Sequence, residues 1–162
     1  VFVSEAGIKK LEEKPSQKKW LRIIPFVFLA LIFSGFIVGF HRSPSLGLSI
    51  VFEWVLINGG LSALGVLIAS GHPLTVMTGF FAAPITSLNP TIGAGMVTGL
   101  VEAWIRKPTV SDFSDLKEDS ATLAGWRKNR VSRTFLVFIL SSFGSAIGTY
   151  IAGFRIFGKL FS

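Results

Sequence analysis

The sequence contains no cysteine and has few charged residues for a chain of 162 residues. The absence of cysteine excludes disulfide bonds and cysteine-based metal sites. Only 15% of the residues are charged, against about 25% in soluble domains. Only three residues between Ile23 and Ile105 carry a formal charge: Arg42, Glu53 and Glu102. Such long apolar stretches exclude an ordinary soluble fold, a disordered chain and the alternating pattern of a β-barrel. We therefore predict an all-α, polytopic helical membrane protein.

The charges that are present are mainly basic and lie beside the apolar stretches. The net charge is +7, with six Lys and Arg residues in 1–22 and seven in 106–133. Basic residues that flank apolar segments anchor a membrane protein and set its topology, so nucleic-acid binding is not expected. Because basic segments favour the cytoplasmic side, we expect a multi-pass protein of the cell membrane with its N-terminus and the 106–133 loop in the cytoplasm.

The apolar stretches define the organisation of the chain. Residues 1–19 are interpreted as a basic juxtamembrane linker to a segment that precedes them, and residues 20–162 as a transmembrane domain in contact with the lipid bilayer. A crossing needs about 20 apolar residues. The predicted segments are spans at 21–40, 46–70 and 134–154, a broken segment at 74–105, and a polar loop at 106–133.

The segment 74–105 is too long for one crossing and slightly short for two. Asn89 and Pro90 lie at its centre. Asn is a good N-cap and Pro suits the first helical position, which predicts two half-helices at 74–87 and 90–105. A re-entrant hairpin also leaves both basic clusters on one side of the membrane. The predicted architecture is thus three full spans and a broken hairpin, and the alternative is four spans with a kinked third helix.

Three pairs of glycines are spaced four residues apart, so that each pair lies on one helix face. Such faces let helices approach closely in lipid, either within one chain or between two copies. On the second interpretation we predict a homo-oligomer, most simply a dimer. The helix-packing residues are Gly35, Gly39, Gly95, Gly99, Gly144 and Gly148.

Several polar side chains lie inside the apolar stretches. A half-helix that starts inside a membrane directs its free N–H groups and positive dipole end inwards, as in channels and transporters. The alternative, which we favour for the polar residues, is that they form interhelical hydrogen bonds. Glu102, beside Trp104 and Arg106, is expected at the membrane interface. The candidate intramembrane polar site consists of Glu53, Asn58, Thr86, Ser87, Asn89 and Thr91.

No group of residues in the sequence has the spacing of an active site. The two histidines lie in different predicted turns, and zinc needs three or four ligands. A glycine-rich phosphate loop and a nucleophile–base pair are not recognisable either. We therefore predict no catalytic, cofactor-binding or metal-binding residue in this chain.

Three stretches resemble the membrane domain of the TraB/PrgY family, the pheromone-shutdown-related proteins of bacteria and archaea. They are Gly71–Thr75, Ala83–Gly95 and Gly99–Pro108. The resemblance implies an upstream soluble domain related to the Tiki metalloproteases, which would carry the presumed catalytic Gly-x-x-His motif. This motif has no match here, so the chain itself is not expected to be an enzyme. The resemblance implies a domain that anchors and oligomerises that upstream domain, and the alternative is a small transporter or channel with a polar site at the hairpin tip.

Overall fold

The computed structural model describes residues 23–161 except residues 90 and 120, and every regular element in this part is a helix. The predicted linker 1–19 and the first residues of the first span lie outside it. The helices are α1 (Ile24–Arg42), α2 (Pro44–Ile68), α3 (Pro73–Thr86), α4 (Ala94–Arg106), α5 (Val110–Ser114), α6 (Leu116–Asp119), α7 (Leu123–Lys128) and α8 (Arg130–Phe161).

Helices α1, α2 and α8 are long and apolar enough to cross a membrane, which confirms the three predicted spans. They contain 19, 25 and 32 residues. At 1.5 Å per residue even the shortest is about 28 Å long, close to the thickness of the hydrocarbon layer. The last helix is longer than the predicted 134–154. It begins at Arg130 because the side chain of Asn129 accepts hydrogen bonds from the N–H groups of Val131 and Ser132, as an N-cap does.

The helices share two common ends. Helices α1 and α8 run in the same direction, since Phe28 packs against Tyr150 and Gly35 faces Ile156 further along both helices. Helix α2 runs back from the turn at Ser43. We call the end that carries α5–α7 the cap end, and the end at Ser43 the turn end. Helix α1 therefore runs toward the turn end, where Arg42 donates to the carbonyl of Leu160.

Helices α3 and α4 form the predicted hairpin. Glu102, close to the end of α4, accepts hydrogen bonds from the backbone N–H of His72 and the hydroxyl of Thr75 at the start of α3, at 2.8 and 2.6 Å. The tip residue Ser87 bonds to Asn58, which lies near the middle of α2. The hairpin thus enters from the cap end, turns beside the middle of a spanning helix and returns. A single kinked third helix would instead separate the residues that Glu102 joins.

The second half-helix begins later than predicted. It starts at Ala94 with Gly93 at the N-cap position, whereas the prediction placed Asn89 there; Pro90 lies outside the described residues. Asn89 Oδ1 instead accepts from the N–H of Thr91 within the turn. The cap of α4 comes from another helix, because Ser142 of α8 accepts a hydrogen bond from the Gly95 N–H at 3.2 Å. The predicted capping role of Asn89 is wrong for this reason.

Helix α3 contains a proline, Pro84, close to the tip. Proline has no N–H, so the carbonyl of Phe80 loses its partner within the helix. Gly59 of α2 lies against this carbonyl, where any side chain would collide with its oxygen. The indole N–H of Trp54 donates to the carbonyl of Pro84 at 3.1 Å. Helix α2 therefore holds the proline-containing turn in place.

The six glycines predicted to pack helices all face other helices of the same chain. In α1, a Cβ on Gly35 would meet Ile156 of α8, and one on Gly39 would meet Ile50 of α2, both at 2.8 Å. Side chains of the same chain therefore occupy the space beside both glycines.

The other four glycines lie between α8 and its neighbours. A Cβ on Gly95 would collide with the carbonyl of Phe138, and a Cβ on Gly99 would contact the side chain of the same residue. Gly144 and Gly148 lie against the backbone of α2. These glycine faces are therefore filled by helices of the same chain, and the homo-oligomer stays a prediction.

Candidate functional site at the hairpin tip

Asn58 is completely buried and connects the hairpin tip to α8. Its amide nitrogen donates to the hydroxyls of Ser87 and Thr149, at 3.1 and 2.7 Å. Its amide oxygen accepts from the hydroxyl of Ser145 at 2.9 Å. One side chain thus joins α2, the end of α3 and α8 through three hydrogen bonds.

The hydroxyls around Asn58 also bond to their own helices. Ser87 donates to the carbonyl of Pro84 at 3.1 Å, and Thr149 donates to the carbonyl of Ser145 at 2.8 Å. Each of these two hydroxyls has both a donor and an acceptor role filled. The group is therefore internally satisfied, which is what buried polar groups in an apolar medium require.

A cleft of about 510 Å³ lies beside this group, between the first turns of α1, the hairpin tip and α8. The wall formed by α1 is apolar and includes Phe28. The opposite wall carries hydroxyl and amide groups. The polar side chains that line the cleft are Thr86, Ser87, Asn89, Ser142, Ser145, Thr149 and Tyr150.

The structure brings together part of the predicted polar site. Asn58 and Ser87 are bonded to each other, and Thr86 and Asn89 line the adjoining cleft. Thr91 contributes its backbone N–H to Asn89 and is exposed.

Glu53 belongs elsewhere. Its carboxylate pairs with Lys159 of α8 at 2.5 Å and lies 3.6 Å from Arg155. Lys159 also donates to the hydroxyl of Ser49 at 2.7 Å. These ion pairs lie toward the turn end, and they explain how a carboxylate inside a spanning helix is stabilised. In the described part of the chain, no hydrogen bond joins Glu53 to Asn58.

Glu102 is fully buried within the protein at the base of the hairpin, and its position at the membrane interface stays a prediction. Besides its two hydrogen bonds to the start of α3, its carboxylate lies 2.8 Å from Nε of Arg106, one turn later in α4. Arg106 keeps 30% of its side chain exposed. Two hydrogen-bond donors and the charge of Arg106 stabilise the buried carboxylate, which joins the two ends of the hairpin.

The polar residues of α8 were not singled out from the sequence, although they complete the site. Ser141 bonds to Thr98 of α4 at 2.6 Å, Ser142 caps α4, and Ser145 and Thr149 bond to Asn58. Their spacing of three to four residues places them on the face that also carries Gly144 and Gly148. This helical periodicity of small and hydroxyl residues is the signal that could have identified them.

Comparison with known proteins gives the family. The family model described as "TraB family protein, C-terminal domain" matches residues 20–161. The chain belongs to the TraB family. An uncharacterized protein of Methanocaldococcus jannaschii is 36% identical to this TraB chain over 145 residues, which are 88% of the chain and 36% of that protein. The chain thus spans about a third of the length of this relative. No solved structure matches it.

The stretches that carry the resemblance to the TraB family form the hairpin. Gly71–Thr75 begins α3 and supplies both hydrogen bonds to Glu102, and Gly99–Pro108 contains Glu102 and Arg106 themselves. Ala83–Gly95 forms the tip beside Asn58. In this chain the family resemblance is therefore concentrated at the base and the tip of one structural unit.

Proposed function

We propose that this TraB domain anchors an upstream soluble part of a longer protein to the membrane. The observation that carries the proposal is the saturated hydrogen bonding of Asn58, which makes the hairpin tip a brace between three helices. A buried polar group that is satisfied in this way is suited to hold α2, the hairpin tip and α8 in a fixed arrangement. The greater length of the relative supports the presence of further protein to be anchored.

The direction of the helices supports the same proposal. Helix α1 runs parallel to α8, so its N-terminus points toward the cap end, where the basic residues of 106–133 lie. Basic segments favour the cytoplasmic side, so the anchored part would lie in the cytoplasm, next to the cap. The domain itself would contribute attachment rather than a catalytic step.

A fusion experiment tests the anchoring role. A soluble fluorescent protein is placed before Val1, and cell fractions are washed with alkaline carbonate. We expect the fluorescence to stay in the membrane pellet. The matched control carries residues 1–19 alone and should be released by the wash. Anchoring is refuted if the full-chain fusion washes off as readily as this control.

The cleft at the hairpin tip favours a second candidate function, a small transporter or channel. Its volume of about 510 Å³ suits a small molecule, and its walls are apolar on one side and hydroxyl-rich on the other. Ala146 lines the cleft, so that Ala146→Trp would fill it.

Liposome flux separates the two candidates. We expect vesicles that contain the chain to release K⁺, protons and small polyols no faster than vesicles without protein. Faster release that Ala146→Trp abolishes would establish the transport function instead.

A further inference from the structure

The base of the hairpin carries more basic than acidic groups at the cap end. The basic residues are Arg106 and Lys107 at the end of α4 and Arg130 and Arg133 at the start of α8. The carboxylates whose charges act on Arg133 are Glu102 and Asp112. The positive charges of Arg106 and Arg130 also act on Arg133.

Both carboxylates already have partners. Glu102 accepts two hydrogen bonds from the start of α3 and pairs with Arg106. Asp112 accepts from the backbone N–H and the hydroxyl of Thr109, at 2.7 and 2.6 Å. Their charges act on Arg133 only from a distance.

Arg133 lacks a close charged acceptor. Its Nε is shielded from solvent and has no hydrogen-bond partner among the described residues. Its Nη2 makes only a long contact of 3.4 Å with the carbonyl of Lys128. No carboxylate in the described part of the chain lies within ion-pair distance of it. A shielded donor without a partner is costly, and a guanidinium offers two donors side by side to one anion.

We propose that Arg133, with Arg106 beside it, binds the phosphate of an anionic phospholipid at the cap end. Guanidinium groups match phosphate oxygens in a paired geometry. The surrounding apolar surface favours a lipid over free phosphate, because Phe135, in the same turn of α8, is 57% exposed. Basic recesses between spanning helices are known to accommodate anionic head groups. The site would connect α4 to α8 through the lipid.

This proposal goes beyond anchoring and requires only that the domain lies in a bilayer. The full chain, purified in a mild detergent, is titrated with phosphatidylglycerol and with phosphatidylcholine of the same acyl chains. Bound lipid is counted by native mass spectrometry. We expect phosphatidylglycerol to bind at least about tenfold more tightly than phosphatidylcholine. Arg133→Gln should remove this preference, since it removes the charged guanidinium group.

Two matched variants distinguish a specific site from general attraction. Arg127→Gln removes an exposed charge from the same cap and should leave the preference within twofold. Arg133→Lys keeps the charge but cannot donate two parallel hydrogen bonds to one phosphate, so we expect it to lose most of the preference for phosphatidylglycerol. Equal effects of Arg127→Gln and Arg133→Gln, or a normal preference in Arg133→Lys, would overturn the proposal.

Inorganic phosphate tests the source of the anion. We expect millimolar phosphate neither to bind by itself nor to displace phosphatidylglycerol, because it lacks acyl chains that can contact the apolar surface of the helices. Phosphate binding that depends on Arg133 and competes with the lipid would overturn the lipid assignment. Circular dichroism of each variant confirms that the helices are intact, so that a lost preference reports on the site.

Discussion

Replacement of Asn58 by leucine tests the brace at the hairpin tip. Leucine has the same branched shape but neither donates nor accepts, so Asn58→Leu removes all three hydrogen bonds that join α2 to the tip and to α8. Hydrogen bonds between helices in a membrane contribute about 0.6 kcal/mol each on average, and up to about 1.7. The expected loss is therefore about 2 kcal/mol of the free energy of unfolding.

Asn89→Ala is a matched control for Asn58→Leu in the same hairpin. Asn89 is exposed, and its side chain accepts one hydrogen bond, from the Thr91 N–H at 3.0 Å. Asn89→Ala should cost about 0.5 kcal/mol, at the low end for a single exposed bond. The assay is equilibrium unfolding by SDS in mixed micelles, followed by circular dichroism. If Asn58→Leu unfolds within about 0.5 kcal/mol of the parent chain, or Asn89→Ala costs as much, the brace does not hold the tip.

Three further outcomes follow from the packing and the charges. Gly144→Ala should cost about 1–3 kcal/mol through overpacking, whereas Gly60→Ala, with no atom within 4 Å of its Cβ, should be neutral or stabilising in the same unfolding assay. Glu102→Gln should cost about 1–2 kcal/mol, less than a fully buried pair because its arginine partner is 30% exposed; a neutral result would show that the pair is not required. Hydrogen bonds from the hydroxyl of Thr109 and, to a lesser extent, from its N–H lower the pKa of Asp112 below its ordinary value. The resulting stabilisation of α5 is fully present above the ordinary pKa and is lost as the pH falls through the lowered pKa. The Thr109 amide resonance in NMR should report this loss, and Asp112→Asn should abolish the transition; an unchanged titration in that variant would contradict the assignment.

The sequence was sufficient to predict the architecture. Long apolar runs predicted three spans, and the length of 74–105, the Asn89-Pro90 pair and the two basic clusters together predicted the hairpin. These are local or additive properties, so they can be read without knowledge of which helices touch. The position of Asn58 was predicted for the same reason, because a lone amide in an apolar run needs partners inside the bundle.

The partners of the polar residues could not be predicted, because they come from distant parts of the chain. The donors that stabilise the buried Glu102 are His72 and Thr75, at the opposite end of the hairpin sequence. Glu53 pairs with Lys159 in the last helix. The start of α4 moved from Pro90 to Ala94 because α8 supplies the cap. Local capping preferences do not contain this information.

The re-entrant architecture requires that the chain between α2 and α8 enters and leaves the membrane on one side. Because the sequence has no cysteine, single cysteines placed at Lys18, Ser45 and Lys117 can be labelled without background in sealed, oriented vesicles with an impermeant maleimide. We expect cysteines at 18 and 117 to react from the same face and the cysteine at 45, at the turn end, to react from the opposite face. Reaction at 117 from the same face as 45 would mean that the segment 74–105 crosses the membrane, and the re-entrant architecture would be wrong.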